Sequence, residues 1–220
     1  EINCIKKALG LESGKTYKNT DDLRYGKILC LTDQDEDGTH IKGLLFNLFK
    51  TLWPSLYKHV GFLNSMLTPV IKAKKGKQEL QFYSVKDYDK WKIDNGNGNG
   101  WNIKYYKGLG TSTPKEAREY FKALKIVNYT SNNDEDDSLL NLAFGKQDNS
   151  SNHRKDWLNS YNKEETLDYN SKSVSMKDFI NYDLIHFSNS DNIRSLPSVI
   201  DGLKPSQRKI LYCCFKKKLD

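Results

Sequence analysis

Cysteine is scarce in this sequence, and the few cysteines are not spaced like metal ligands. The 220 residues include only Cys4, Cys30, Cys213 and Cys214, which form no CxxC pair or other zinc-binding spacing. This excludes the disulfide framework of a small secreted protein. We expect reduced thiols in an intracellular protein.

Long apolar runs are also absent. No stretch approaches the roughly 20 apolar residues that cross a bilayer, and the N-terminal segment lacks the pattern of a signal peptide. No membrane is therefore expected among the partners. Because the sequence begins at Glu1 rather than Met and ends in a lysine-rich stretch, we expect it to be a piece of a longer protein.

The charge balance is basic. There are 35 Lys and Arg against 28 Asp and Glu, a net charge of +7, which favours polyanionic partners. A chain of 220 residues is long enough for one large domain or two small domains with their own cores.

The most informative stretch is a short apolar run that ends in closely spaced aspartates. Residues 28–31 predict a strand, and Asp33, Asp35 and Asp37 follow before a glycine and a helical pattern. In extended backbone, side chains at alternate positions project to one side. Three neighbouring carboxylates would raise one another's pKa unless a cation compensates them. The stretch predicts a hard cation, Mg²⁺ first, with Mn²⁺ or Ca²⁺ as substitutes.

Two other interpretations compete for these aspartates. One is an aspartate-rich surface turn without function. The other is an EF-hand loop, whose opening matches residues 33–38. The EF-hand is excluded because its twelfth position requires a bidentate Glu and is Leu44 here. The strand-like run also stands where an EF-hand has a helix.

A second motif joins a strand to a helix through glycines. Residues 101–106 predict a strand that runs into residues 107–110, Lys-Gly-Leu-Gly. Thr113, Pro114 and Glu116 then supply an N-cap, a first-turn proline and a capping box. The loop lacks the P-loop pattern and is compatible with a simple tight turn. Beside a carboxylate cluster, the helix N-terminus favours a phosphate contact.

Several polar stretches predict irregular structure. Residues 95–100 alternate Asn and Gly and predict a mobile loop that does not pack, and residues 129–138 and 188–197 predict surface loops. Residues 167–175 predict a linker between domains.

The end of the chain predicts a basic helix. It begins near Lys204 and carries Arg208 and Lys209 on its polar side. A basic helix is as often a solvated face as a binding surface. With a phosphate-handling domain before it, a nucleic-acid backbone is the more economical partner.

Carboxylates with Mg²⁺ at the carboxyl end of a strand suit phosphodiester chemistry, because the metal stabilises oxygens that gain charge. A metal-activated water would make a nuclease, a sugar hydroxyl a polymerase or primase, and a protein hydroxyl a strand-transferring enzyme. Composition and spacing leave these three open.

Several segments resemble eukaryotic DNA topoisomerase II, in the same order along the chain. Residues 32–45 resemble the DxDxDG segment of that family's TOPRIM domain, and residues 104–112, KYYKGLGTS, resemble its glycine loop. Residues 187–192 and 201–209 resemble the start of its winged-helix domain. The similarity spans nearly the whole chain. Bacterial gyrase divides these parts between two separate polypeptides, so their presence on one chain favours the eukaryotic form.

The resemblance implies an α/β fold, with a Rossmann-like TOPRIM sheet and flanking helices before the mainly helical start of a winged-helix domain. The implied domains are a TOPRIM domain lacking its N-terminal part, with a following helical segment (1–166), a linker (167–175) and a truncated winged-helix DNA-binding domain (176–220). The implied activity is ATP-dependent cleavage of double-stranded DNA with Mg²⁺, passage of a second duplex and resealing. The implied enzyme is a nuclear homodimer that binds ATP in a domain outside this sequence.

The resemblance also assigns residues. Asp33 and Asp35 are implied as direct metal ligands, and Asp37 as a ligand or a water-mediated partner. His40 lies near this site, with a capping or core role as an equal alternative. The implied DNA-binding residues are Lys107, Gly108, Gly110, Arg154, Lys155, Lys204, Arg208 and Lys209.

The family's nucleophilic tyrosine and its EGDSA glutamate fall outside this sequence. We therefore expect no catalytic residue in it, no DNA cleavage or ATP hydrolysis by this piece alone, and a packing role for Tyr212. Two alternatives remain: a non-catalytic DNA-binding or scaffold module with a TOPRIM fold, and a TOPRIM nuclease or primase.

Overall fold

The computed structural model describes residues 1–106, 108–131, 134–146, 148–169 and 171–219. Two β-sheets and their flanking helices confirm the expected α/β class. The strands are β1 (Ile28–Cys30), β2 (Leu63–Met66), β3 (Ile71–Lys75), β4 (Gln78–Phe82), β5 (Asn102–Tyr105), β6 (Ile126–Thr130) and β7 (Ser173–Ser175). The helices are α1 (Ile2–Leu9), α2 (Glu36–Leu52), α3 (Pro54–Tyr57), α4 (Val85–Asp94), α5 (Pro114–Ala123), α6 (Asp134–Phe144), α7 (Ser150–Asn159), α8 (Met176–Phe179), α9 (Ile185–Ser195) and α10 (Pro205–Lys217).

The larger sheet has the strand order β1-β2-β6-β7. β1 and β2 are parallel, β2 and β6 antiparallel, and β6 and β7 parallel. The parallel pairing of β1 with β2 requires a crossover, which α2 and α3 provide. This topology places the residues that follow β1 at the carboxyl end of a strand, where open α/β sheets hold their sites.

The main core lies between this sheet and the helices on one of its faces. Phe46 and Phe49 from α2 are fully buried, and Phe46 packs on Tyr129 of β6 and Phe179 of α8 with ring centroids 4.7 and 5.1 Å apart. The apolar spacing along α2 predicts a buried stripe through Ile41, Leu44, Leu48, Phe49 and Leu52. Phe49 is buried, but Ile41, Leu44 and Leu52 are exposed, and the buried face runs through Lys42, Gly43, Phe46 and Phe49 instead. Pro54 ends α2 and begins α3, as the sequence predicts.

The smaller sheet has the order β4-β3-β5 and is antiparallel throughout. The sequence predicts a hairpin of residues 62–71 and 79–85 around a turn at 74–77. The turn is confirmed, with Gly76 and Lys77 between β3 and β4, but the first strand is 71–75, and residues 63–66 form β2 of the larger sheet. After β5 the chain passes through a short 3₁₀ turn, Leu109–Thr111, into α5. The segment with the two glycines thus lies between β5 of the smaller sheet and α5.

Three expectations of irregular structure are wrong. Within the predicted loops, residues 129 and 130 belong to β6 and 134–138 to α6, and residues 188–195 belong to α9. Residues 95–100 contain a 3₁₀ turn in which Gly98 is buried against Trp91. Tertiary pairing and packing override the polar composition of these segments.

The segment predicted as a linker ends in β7, the edge strand of the larger sheet, and Met176 and Phe179 just after it are buried in the main core. The division of the chain at 167–175 remains a prediction. Among the described residues, no helix combines the length and the apolar character needed to span a membrane.

Candidate functional site

Asp33 lies close to two glycines. A Cβ on Gly38 would be 2.0 Å from the carbonyl oxygen of Asp33, and a Cβ on Gly108 would be 2.5 Å from its Cγ. A side chain at Gly38 would force the backbone apart, whereas one at Gly108 would require the exposed Asp33 side chain to turn away. The aspartate segment and the glycine loop therefore form one site.

Asp35 has a structural task at this site. It is the N-cap of α2 in extended backbone, and its Oδ1 accepts a hydrogen bond of 2.8 Å from the Gly38 N–H. Because the helix begins at Glu36, the expectation that extended backbone projects all three aspartates to one side is wrong. The positive end of the α2 dipole lies beside these carboxylates and lowers the cost of their charge.

Asp37, in the first turn of α2, is paired with an arginine from the far end of the chain. Arg194 Nη1 and Nη2 donate to its two carboxylate oxygens at 2.9 and 2.5 Å. Arg194 Nε also donates to Asp191 at 3.0 Å. The hydrogen bond from Arg194 holds the pKa of Asp37 below its usual value.

The oxygen donors present fit a hard cation in part. Asp33 and Asp35 supply exposed carboxylates in neighbouring positions, the donor type that Mg²⁺ takes. Asp37 is engaged with Arg194, and no group of three or more His, Cys, Asp or Glu in the described part of the chain is arranged to hold a metal ion. Asp33 and Asp35 thus fit as a pair.

The glycine loop, defined here as residues 108–112, is fastened by Glu116 of α5. The predicted capping box is confirmed: Thr113 N–H donates to Glu116 Oε2 at 2.7 Å, and Glu116 N–H donates to Thr113 Oγ1 at 3.3 Å. Glu116 also accepts from Lys104 Nζ at 3.0 Å and from the Tyr106 hydroxyl. Burial opposes its charge, but these hydrogen bonds outweigh burial and lower its pKa to about 2.

Within the loop, Gly110 is exposed and a Cβ there would meet nothing within 4 Å. The Thr111 hydroxyl donates to the Gly108 carbonyl at 2.7 Å. Lys107, an implied DNA-binding residue, lies outside the described residues.

The other basic residues implied in DNA binding differ in their engagement. Arg154 donates to the Gly145 carbonyl at 3.1 Å, just past the end of α6, and is half-buried. Arg208 donates to both oxygens of Asp201 at 2.7 Å. Lys155 and Lys209 are exposed, and the N–H of Lys204, the N-cap of α10, donates to Gln207.

Sequence reasoning missed a buried polar network under α2. Lys42 is 2 % exposed and pairs with Asp183 at 3.4 Å. The Thr39 and Tyr169 hydroxyls donate to the same carboxylate at 3.0 and 2.5 Å. Asp183 lies in a π-helical turn, Ile180–Leu184, a form that often marks functional positions. The sequence signal for this network is the spacing of Lys42 with Phe46 and Phe49, which places a lysine on an apolar side of α2.

His40 has a packing role. Its ring stacks on Phe187 with centroids 4.0 Å apart, and burial lowers its pKa. This contact and the Asp37–Arg194 pair both join α2 to α9.

Residues 66–192 match the family model described as the C-terminal associated domain of TOPRIM. The chain belongs to this family. Residues 194–220 match a second model, which describes DNA gyrase/topoisomerase IV. The TOPRIM-associated match covers the whole smaller sheet, β6 and β7 of the larger sheet, and the helices from α4 into α9.

Curated relatives of this TOPRIM-associated chain are eukaryotic. It is 48 % identical over 236 residues to DNA topoisomerase 2-beta of Gallus gallus and of Homo sapiens, covering 99 % of this chain and 14 % of each relative. It is 47 % identical over 234 residues to DNA topoisomerase 2-alpha of Rattus norvegicus, covering 99 % of this chain and 15 % of that protein. The resemblance to eukaryotic DNA topoisomerase II is confirmed. The chain spans about one seventh of the length of these relatives.

A solved structure agrees with this TOPRIM-associated fold. The Plasmodium falciparum topoisomerase II DNA-binding, cleavage and re-ligation domain is 42 % identical and superposes with a TM-score of 0.86, covering 99 % of this chain and 30 % of that one.

Proposed function

We propose that this chain is part of the DNA breakage-reunion core of an ATP-dependent type II DNA topoisomerase. It binds Mg²⁺ and DNA phosphate while both strands of one duplex are cut, a second duplex passes and the break is resealed. The observation that supports this most is the contact of Gly108 with the Asp33 carboxylate. It joins a metal-binding residue type to a phosphate-binding loop type, in a chain 42 % identical to a domain described by DNA cleavage.

Asp33 and Asp35 are the residues that hold Mg²⁺ in this proposal, with Asp37 as a third partner once Arg194 releases it. A metal held by these carboxylates would stabilise the oxygens that gain charge as the phosphodiester breaks. The N–H groups of the glycine loop and the N-terminus of α5 orient the phosphate. The nucleophilic tyrosine, a further glutamate and the ATP-binding domain belong to other parts of the longer protein.

DNA contacts are proposed on two basic groups. The first is Lys107 together with Gly108 and Gly110 of the glycine loop. The second is the helical region with Lys204, Arg208 and Lys209 at the start of α10 and Lys155 on α7. Arg154 is a secondary DNA contact, since it already binds carbonyl groups past the end of α6. Each basic contact contributes to a salt-dependent affinity for the phosphate backbone.

The proposal extends to the whole protein. It acts in the nucleus as a homodimer on double-stranded DNA, and the division at 167–175 separates its TOPRIM part (1–166) from the start of its winged-helix part (176–220). The piece represented by this sequence is inactive alone.

A Mg²⁺ titration of DNA cleavage by the full-length protein tests the proposal. Asp33→Asn and Asp35→Asn should each reduce cleavage at least tenfold, and Asp37→Asn should reduce it less because Asp37 is paired with Arg194. Asp94→Asn, an exposed position on α4, is the matched control. Undiminished cleavage in Asp33→Asn would remove the metal assignment. DNA binding without any cleavage in the unaltered protein would favour the scaffold module.

A further inference from the structure

One carboxylate fastens both ends of the glycine loop. Tyr106, two residues before Gly108, donates its hydroxyl to Glu116, and Thr113, which follows the loop, donates its N–H and its hydroxyl at 2.7 and 2.9 Å. Lys104 Nζ lies 3.0 Å from both oxygens of the same carboxylate. An ordinary capping box uses only the N-cap contacts. The contacts to β5 are additional.

The position of the loop is tightly constrained. Gly108 touches the Asp33 carboxylate so closely that a Cβ would lie 2.6 Å from each oxygen. Small loop displacements therefore change the space around Asp33. The described partners of the Glu116 side chain lie within the loop's two flanks, and the Glu116 side chain is only 17 % exposed.

We propose that Glu116 is a positioning residue, which holds the glycine loop against Asp33 through its bonds to Tyr106, Lys104 and Thr113. The inference rests on the proposed function, because it assigns the loop to the metal and phosphate site. Glu116 touches neither Asp33 nor the phosphate. A full carboxylate is needed, because glutamine has a single acceptor oxygen. Whichever way its amide turns, the NH₂ group faces the Lys104 ammonium, which binds both oxygens of Glu116.

The test compares Glu116→Gln with Glu119→Gln in the full-length protein. Glu119 lies on the same helix, and its carboxylate pairs with Lys72 at 3.4 Å rather than with Lys104, Tyr106 or Thr113. Amide hydrogen exchange is measured at residues 108–112, and cleavage is measured against Mg²⁺ concentration. We expect Glu116→Gln to speed loop exchange about tenfold or more, the size of a lost hydrogen bond to a charged group. It should also raise the Mg²⁺ concentration at half-maximal cleavage, while Glu119→Gln changes neither.

Equal behaviour of the two glutamine variants would overturn the inference. If Glu116→Gln does not fold, Tyr106→Phe decides, because it removes one hydroxyl and keeps the Lys104 pair. Faster loop exchange in Tyr106→Phe supports the inference, and unchanged exchange overturns it.

Asp33→Asn separates this inference from the proposed function. Unchanged Mg²⁺-dependent cleavage in Asp33→Asn refutes the metal site. If Asp33→Asn abolishes cleavage but loop exchange in Glu116→Gln matches that of Glu119→Gln, only the positioning role fails.

Discussion

Gly108 lies against the carboxylate of Asp33, with space for a hydrogen atom but not for a methyl group. A Cβ on Gly108 would be 2.5 Å from Asp33 Cγ and 2.6 Å from each carboxylate oxygen. Asp33 follows β1 of the larger sheet and Gly108 follows β5 of the smaller sheet. The contact therefore joins segments that leave the two sheets. A Cβ on Gly110, two residues farther along the loop, would have no atom within 4 Å. Alanine at Gly110 therefore serves as the control for alanine at Gly108.

Gly108→Ala should push the Asp33 carboxylate or the loop out of place. Gly108 does not have a positive φ, so the effect comes from displacement of the exposed Asp33 side chain. The loss of stability should therefore stay below about 1–3 kcal/mol, the cost of overpacking a buried core. We expect the Mg²⁺ affinity of the full-length protein, measured by calorimetry, to fall at least fivefold. Gly110→Ala should leave Mg²⁺ affinity and stability unchanged. Equal Mg²⁺ affinities in the two variants would contradict the contact.

The Lys42–Asp183 pair should dominate the stability of the region under α2. Removing one partner of a buried pair costs about 3–5 kcal/mol, so Lys42→Met should lower the free energy of unfolding by that amount. Lys58→Met, at a surface pair with Asp137 that spans 3.2 Å and is 49 % and 25 % exposed, should cost less than about 1 kcal/mol. Chemical denaturation of both variants measures the difference.

The same network predicts an alkaline loss of stability. Burial lowers the pKa of Lys42, but Asp183 and Tyr129 outweigh it and raise that pKa above 10.5. The stabilisation is therefore present below pH 10.5 and is lost as pH rises through the folded pKa. Burial and Asp183 raise the pKa of Tyr169 well above 10.0, which acts in the same direction. The free energy of unfolding, measured between pH 8 and 11, should decline in the unaltered protein. It should decline less in Lys42→Met.

Glu116 predicts an acid dependence of the opposite sign. Its folded pKa of about 2 lies below the ordinary value of 4.5, so its contribution is present above pH 4.5 and is lost as pH falls towards 2. The difference corresponds to about 3 kcal/mol at neutral pH. The stability gap between the unaltered protein and Glu116→Gln should therefore narrow from pH 7 to pH 3. A gap that stays constant over this range would refute the lowered pKa.

The sequence by itself determined the local elements with strong signals. The strand before Asp33, the turn around Gly76 and the capping box of α5 follow from short-range periodicity and capping chemistry. The spacing along α2 predicted the helix but not which of its faces is buried. The motif segments also determined the family. Motif recognition likewise assigned Asp33 and Gly108 to one functional region, without giving their contact.

Only the tertiary structure decided what those residues touch. Asp35 became an N-cap because α2 starts one residue after it, and Asp37 paired with Arg194 because α9 packs beside α2. Residues 173–175, in a segment predicted as a linker, form a strand because they pair with β6 of the larger sheet. Lys42 could be buried because Asp183 lies opposite it. Each of these outcomes depends on contacts between residues far apart in the chain, which local pattern does not contain.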